Sequence, residues 1–372
     1  MGTADGMTTV EALASEWAKT LTRALRAVEL SQAPEPPIGQ SPREVVYRRN
    51  KTRLYRYQSS RTRRVPVLFV PNLGISRPAI FDLQPGSSFV EYMSAQGYDF
   101  YLLDWGVFGE EDNGLTVDEC VTRILPRVAR RVLETSGAAS LALIGYCMGA
   151  PLSVSFAALY PEVPVRAYVD MAGPIDFSKA GLFAKWLDPR FYDVDRVVDT
   201  VGAIPADWVK LGFKLLRPTM DVSTALNLWW NLDSPKYVEG YRALSRWANE
   251  YVPFPAEFFR QWVRDFYQQN RLVGKTLRLG GRLVDLAQVR CPVFVVAGAE
   301  DYIAPAPCVK APASLSVASV TAPSFRRSTT ESVNVGVFDC AFTFAAKPSA
   351  IARPTASPSI EGFFAIAPSH AA

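Results

Sequence analysis

A cysteine lies between two glycines in the pentapeptide Gly-Tyr-Cys-Met-Gly at residues 145–149. The pentapeptide directly follows the apolar run 141–144 and directly precedes a stretch of small, helix-forming residues that starts at Ala150. This is the G-x-nucleophile-x-G pattern of a nucleophile elbow, a tight strand-to-helix turn that exposes a reactive side chain. Glycines are needed on both sides because the helix must pass close to the neighbouring strands. Cys147 is therefore the candidate nucleophile.

The position of Cys147 in the turn predicts how its thiol would be activated. At a helix N-terminus, the dipole and the free N–H groups favour the thiolate form of Cys147. We expect the backbone N–H of Met148 to donate to a developing oxyanion. The second donor is expected in the loop after the first buried strand, at residues 72–75, with Leu73 as the candidate. The alternative is a buried structural cysteine in a glycine-rich turn.

A candidate acid follows the last apolar run, residues 292–297. Asp301 lies C-terminal to the nucleophile, as the order nucleophile, acid, base requires in this architecture. Glu300 is adjacent to it, and either residue could instead be an ordinary turn acid. Asp104, which follows the run 100–103, is expected to organise the floor of its loop.

The base that such a triad needs is missing from the expected region. His370 is the only histidine, and it has no glycine beside it and no apolar strand before it. We therefore do not expect His370 to be the base, and we find no catalytic histidine. A single histidine also makes a zinc site improbable. Five cysteines without a close pair argue against a disulfide framework.

The elements that would position these residues alternate along the chain. Continuous apolar runs are typical of strands that are buried on both faces of a parallel sheet, and they lie at residues 66–70, 100–103, 141–144, 167–171 and 292–297. Helical patterns at 119–135 and 150–160 separate some of them. The pattern predicts an α/β-hydrolase fold, with a doubly wound, mostly parallel sheet. Residues 174–285, rich in Trp and Phe, are predicted to form a helical cap.

Two further elements precede the first core strand. Apolar steps of three or four residues from Val10 to Val28 predict an amphipathic helix. It packs either on its own domain or on a partner subunit or apolar surface. A proline-rich linker spans residues 31–42. Alternation over residues 44–58 predicts a hairpin, whose basic face is either a solvated edge or a site for a phosphate-bearing substrate.

Charge and composition exclude several classes of protein. The net charge is +4, yet residues 43–64 alone carry nine basic side chains and one acid. The remainder is therefore acidic, which disfavours nucleic-acid binding. No uncharged apolar run reaches the roughly 18 residues of a membrane span, and residues 1–10 lack a signal-peptide pattern. These features predict a cytoplasmic protein without a transmembrane segment.

The composition changes at Pro305. All Trp and Tyr residues lie before it, and the last 68 residues contain a single leucine, Leu315. We predict that this tail lies outside the fold, and we interpret it as a translated wrong reading frame. The chain is thus predicted to divide into five segments. Residues 1–42 form a helix and linker, 43–173 the first part of the core, 174–285 the cap, 286–304 the last part of the core and 305–372 the tail.

Six blocks of sequence resemble the polyhydroxyalkanoate synthase catalytic subunit. They read FDLQP at 81–85, LDWG at 103–106, GYCMG at 145–149, AALYP at 157–161, NRL at 270–272 with GGR at 280–282, and GAEDYI at 298–303. The resemblance covers residues 65–305 and is greatest to the short two-component forms, class III or IV. It implies that Cys147 carries the growing acyl chain as a thioester and that Asp301 is the triad carboxylate.

The resemblance also implies the substrate and the partners. The substrate is a 3-hydroxyacyl-CoA, the product is a polyester chain with release of CoA, and no cofactor or metal is needed. A second synthase subunit and the polymer granule surface are the implied partners. The family places its catalytic histidine in a glycine-flanked motif after the triad aspartate, and this chain departs from that pattern. Its activity is therefore expected to be impaired.

Two other functions remain open at this point. One is a hydrolase of the dienelactone-hydrolase type, which also uses a G-x-C-x-G turn but lacks a cap as large as residues 174–285. The other is a catalytically dead chain that retains only binding to a partner or granule. The test that separates the three is release of CoA, and then formation of insoluble polymer, from 3-hydroxybutyryl-CoA.

Overall fold

An eight-stranded sheet forms the centre of the protein. The structure is a computed structural model, and it describes residues 9–59, 65–310 and 319–321. The strands are β1 Glu44–Arg49, β2 Thr52–Tyr57, β3 Val67–Val70, β4 Phe100–Asp104, β5 Leu141–Tyr146, β6 Val165–Met171, β7 Val293–Val296 and β8 Ser319–Thr321. Their order across the sheet is β1-β2-β4-β3-β5-β6-β7-β8. Strand β2 is antiparallel to both neighbours, and every other pairing is parallel.

Helices cover both faces of this sheet. The core helices are α2 Phe89–Ala95, α3 Leu125–Ser136 and α4 Gly149–Leu159, and a further helix, α1 Thr9–Gln32, precedes the sheet in the chain. A helical lead-in to α3 covers Val117–Glu119 and a π-helical turn, Cys120–Ile124. Short antiparallel pairs join Asp82–Gln84 to Ser87–Ser88 and Arg278–Leu279 to Arg282–Leu283. None of the helices in the described part of the chain is long and apolar enough to cross a membrane.

The central strands are apolar on both faces because each face packs against helices. Leu68 and Val70 point into a cluster with α3 and α4, whereas Val67 and Phe69 point into a cluster with α2. Burial on both sides explains why these strands show continuous rather than alternating hydrophobicity. The prediction of a doubly wound, mostly parallel sheet is confirmed.

A helical insertion separates β6 from β7. Its helices are α5 Gly181–Trp186, α6 Val194–Val201, α7 Ala206–Leu216, α8 Met220–Trp230, α9 Pro235–Asn249 and α10 Ala256–Gln261, which continues as a π-helical turn over Trp262–Gln268. Asn270 ties the end of the insertion to its start, since its side chain accepts from the N–H of Phe177 and donates to Asp176. This insertion, which we call the cap, lies within the predicted residues 174–285.

Part of the predicted tail belongs to the fold. A short helix, α11, spans Ala306–Val309, and the carbonyl oxygen of Cys308 accepts from the backbone N–H groups of Ile175 at 3.1 Å and Asp176 at 3.0 Å. Strand β8 pairs with β7 through its backbone. The prediction that nothing after Pro305 folds with the sheet is therefore wrong for residues 305–310 and 319–321.

The physical reason is that backbone pairing and a few small apolar side chains do not require a periodic sequence. Cys308 and Val309 are fully buried. The rest of the tail, residues 311–318 and 322–372 with His370, lies outside the described residues. The interpretation of a wrong reading frame and the division into segments stay predictions.

The burial of α11 can be tested by paired substitutions. We expect Val309→Ala to lower the free energy of unfolding by about 1–3 kcal/mol, because it removes buried methyl groups. Val222→Ala is the control, since Val222 is 63% exposed in the cap and should change stability by less than about 0.5 kcal/mol. Urea unfolding followed by fluorescence measures both. Equal, small effects would show that α11 does not pack on the core.

Candidate active site

The elbow turns sharply at Cys147. This residue follows β5 directly and has φ of 52°, in the left-handed region that side chains other than glycine seldom occupy. Two backbone hydrogen bonds hold it there: its N–H donates to the carbonyl of Met171 at 3.0 Å, and its own carbonyl accepts from Ala150 at 2.9 Å. A strained backbone that the surroundings over-determine is typical of functional sites.

The glycines of the elbow are required by close approaches. A Cβ atom on Gly149 would lie 2.0 Å from the carbonyl oxygen of Val70, and one on Gly145 would lie 2.5 Å from the Cα of Ala150. Helix α4 therefore starts against the carboxyl end of β3. This contact brings Met148, at the start of the helix, next to the loop that follows β3.

That loop, residues 71–76, contains the predicted second oxyanion donor, Leu73. The carbonyl of Pro71 accepts a hydrogen bond of 3.1 Å from the indole N–H of Trp105. Leu73 is fully buried two residues after Pro71, and a Cβ atom on Gly149, next to Met148, would lie 2.7 Å from the Pro71 carbonyl oxygen. The structure thus brings the two residues to one place, and their roles as backbone donors stay predictions.

Asp104 supports this region from beside the loop. Its carboxylate is buried and accepts from the N–H of Gly106 at 2.9 Å and from the hydroxyl of Tyr55 at 3.2 Å. It also forms an ion pair with Arg77, at 3.3 Å. Asp104 thus connects the loop that follows β4 with strand β2 and with Arg77, which follows the loop that carries Leu73.

Asp301 lies in the loop after β7, where the acid of a triad was expected. One carboxylate oxygen accepts from the backbone N–H groups of Ile303 at 2.8 Å and Ala304 at 2.9 Å. These bonds fix the side chain within its own turn. The negative charge of Asp301 is among the causes that raise the pKa of Cys308, which lies close by in α11.

A tyrosine of the cap lies near Cys147, the candidate nucleophile, and the sequence analysis missed it. Burial raises the pKa of Tyr267, and electrostatic interactions with the thiol groups of Cys147 and Cys308 raise it further. Its ring packs edge-on against Phe177, with the ring centroids 4.9 Å apart. Tyr267 thus lies near both Cys147 and Cys308. Its place three residues before Asn270 in the NRL block was the signal that could have identified it.

A second carboxyl group, Asp170, lies at the carboxyl end of β6 and was also missed. It is fully buried and accepts from the N–H of Gly173 at 2.8 Å. Burial raises its pKa well above the usual range, so the protonated form is favoured. Asp170 is therefore a poorer candidate than Asp301 for an ionised triad acid.

The thiols differ in their surroundings. Cys120, Cys291 and Cys308 are buried, whereas Cys147 is half-buried. Burial raises the pKa of Cys291 and of Cys308 to about 12, and that of Cys120 well above its usual value. Among the residues described, no group of three or more His, Cys, Asp or Glu side chains could hold a metal ion.

Comparison with known proteins agrees with the fold. Residues 66–306 match the alpha/beta hydrolase fold family. The protein is therefore an α/β-hydrolase-fold protein, with the turn at Cys147 at the carboxyl end of β5.

Proteins of similar sequence assign the chain to a particular family within this fold. The poly(3-hydroxyalkanoate) polymerase subunit PhaC of Haloferax mediterranei is 36% identical over 274 residues, which cover 73% of this chain and 56% of that protein. PhaC of Thiocystis violacea is 32% identical over 278 residues, covering 73% of this chain and 77% of that protein. PhaC of Allochromatium vinosum is 33% identical over 273 residues, covering 72% of this chain and 76% of that protein. This chain belongs to the poly(3-hydroxyalkanoate) polymerase PhaC family.

The burial of three thiols predicts which cysteine an alkylating reagent labels first. A pKa of about 12 leaves only roughly one thiol in 10⁴ ionised at pH 8, and thiolate is the form that iodoacetamide alkylates. We expect Cys147 to be labelled at least about tenfold faster than Cys120, Cys291 and Cys308. Peptide mass spectrometry after brief labelling of the folded protein measures this. Equal labelling of all four would contradict it.

Proposed function

We propose that this chain transfers 3-hydroxyacyl groups from CoA thioesters to a growing polyester through a thioester on Cys147. The observation that carries the proposal is the strained elbow, which presents a thiol at the start of a helix, beside a loop that can supply a second backbone donor. Membership of the PhaC family supports the same chemistry, since the relatives are named as polymerases of 3-hydroxyalkanoates.

The proposed acylation starts with attack of the Cys147 thiolate on the carbonyl carbon of the acyl-CoA. The new carbon–sulfur bond forms a tetrahedral oxyanion, to which the N–H groups of Met148 and Leu73 donate. The bond to the CoA sulfur then breaks, and CoA leaves as a thiolate that takes up a proton. The helix dipole of α4 favours the thiolate that begins this step.

Elongation requires a stronger base than acylation does. The 3-hydroxyl of an acyl group must lose its proton as it attacks the thioester on Cys147, and a hydroxyl is far less acidic than a thiol. No histidine occurs between residues 1 and 369. General-base catalysis contributes typically about 10²–10⁴-fold. We therefore propose that acylation persists, whereas elongation is slow, with Asp301 in the position of the triad acid.

The proposed chemistry predicts which substitutions matter. Cys147→Ala should abolish release of CoA from 3-hydroxybutyryl-CoA, because the acyl acceptor is lost. Cys291→Ala is the matched control, since it removes a buried thiol far from the elbow in sequence, and His370→Ala should also leave release unchanged. Release of CoA is measured with a reagent that reacts with its free thiol. Retention of CoA release in Cys147→Ala, or its loss in His370→Ala, would contradict the proposed roles.

A surface for partners is the second part of the proposal. One face of α1 is tied to the cap, because Arg23 and Arg26 both pair with Asp233, at 3.1 and 2.7 Å. The other face carries large apolar side chains that are 55–73% exposed, namely Leu13, Trp17, Leu21, Leu25 and Val28. We propose that this face, the α1 stripe, binds the second synthase subunit or the granule surface.

The contribution of the α1 stripe can be measured directly. The double substitution Trp17→Glu and Leu21→Glu should lower binding to poly(3-hydroxybutyrate) particles or to the second subunit more than about tenfold, because each apolar side chain contributes roughly 1.5–3 kcal/mol when buried. Thr22→Glu is the control on the same helix, outside the stripe. Co-sedimentation measures particle binding, and co-purification measures the subunit. Unaltered binding in both assays would exclude the stripe as the docking face.

A further inference from the structure

The loop that carries Leu73 is held on its outer side by the cap. The segment 251–254, between α9 and α10, runs beside it: the N–H of Val252 donates to the carbonyl of Ile75 at 2.9 Å, and Ser76 pairs with Tyr251 in an antiparallel bridge. The cap therefore forms backbone hydrogen bonds with the residues that immediately follow Leu73 and Gly74.

The last residue of this segment, Phe254, lies directly against the loop backbone. A Cβ atom on Gly74 would be 2.3 Å from Cδ1 of Phe254, so the ring covers the face where a side chain would project. Gly74 has φ of 71°, a conformation that glycine adopts readily. Phe254 is itself fixed, because its backbone exchanges two hydrogen bonds with Ile204, of 3.0 and 3.1 Å.

The inner side of the loop is held by the core. Trp105 donates to the carbonyl of Pro71, and within the loop itself the side-chain amide of Asn72 donates to the hydroxyl of Ser76 at 3.4 Å. The core thus fixes the start of the loop, whereas the cap fixes its end. Leu73 and Gly74 lie between the two sets of contacts. A donor to an oxyanion must be held within 2.7–3.1 Å of the oxygen, so both ends must be in place.

We propose that Phe254 is a positioning residue that holds the Leu73 N–H in its donating orientation, so that acylation of Cys147 depends on the cap being closed on the loop. Phe254 acts through Gly74 and does not touch the substrate. The inference rests on the proposed function, because it takes Cys147 as nucleophile and Leu73 as donor.

Two reactions of the same thiol separate positioning from a general structural effect. Acylation of Cys147 by p-nitrophenyl acetate forms an oxyanion, whereas alkylation by iodoacetamide does not. We expect Phe254→Ala to slow acylation about tenfold or more, since losing one oxyanion donor costs roughly 10²–10³ elsewhere. Alkylation should change less than about twofold. Phe254→Leu, which keeps most of the bulk, should restore much of the acylation rate.

Trp186→Ala is the control, because Trp186 is a cap aromatic that is 39% exposed. It should affect neither reaction. If acylation and alkylation fall together in Phe254→Ala, or if neither falls, the positioning role is wrong. If the unsubstituted chain is not acylated at Cys147, it is the proposed function that fails.

Hydrogen exchange decides the positioning role independently of any chemistry at Cys147. Amides in peptides that cover residues 72–80 should exchange faster in Phe254→Leu, and faster still in Phe254→Ala, than in the unsubstituted chain. Peptides from β5 should remain unchanged, which would show that the variants are folded. Unchanged exchange at 72–80 in folded Phe254→Ala would overturn the inference.

Discussion

The left-handed backbone at Cys147 is the constraint on which the site depends. A residue with a side chain at φ of 52° is costly, and here it is offset by hydrogen bonds to Met171 and Ala150. The turn closes only because Gly149 comes close to the carbonyl of Val70. That approach places the start of α4 at the carboxyl end of β3, where the loop with Leu73 begins. Cys147 and both candidate donors are thus positioned by one turn.

The second half of the site is built by contacts between segments that are distant in sequence. The cap contributes Tyr267 near the thiol and Phe254 against Gly74, while α11 brings Cys308 close to Asp301. The carboxyl ends of the core strands hold Cys147 and the loop with Leu73, and residues of the cap pack around the thiol.

The sequence predicted the features that depend on local pattern. Continuous apolar runs identified the core strands, and the G-x-C-x-G turn identified the elbow, since both are encoded within a few residues. The position of Phe254 could not be predicted in this way, because it depends on packing across a long sequence separation, and Tyr267 was indicated only by its place beside the NRL block. Strand β8 was missed for another reason: an edge strand pairs through its backbone, so low-complexity composition does not exclude it.

The attachment of α1 has a consequence for its response to salt. Arg23 and Arg26 reach Asp233 at an exposed position, where ions in solution weaken such pairs over about 8–10 Å at physiological ionic strength. Near the end of the helix, Arg242 and Arg246 instead donate to the backbone carbonyls of the proline-rich linker. Arg246 also forms an ion pair with Glu35 of the linker at 3.6 Å, and Arg26 also donates to the carbonyl of Leu232 at 3.3 Å. The helix and the linker are thus each attached both by ion pairs and by bonds to neutral carbonyls. We therefore expect rising ionic strength to loosen this attachment without abolishing it, because salt weakens the ion pairs more than the bonds to the carbonyls.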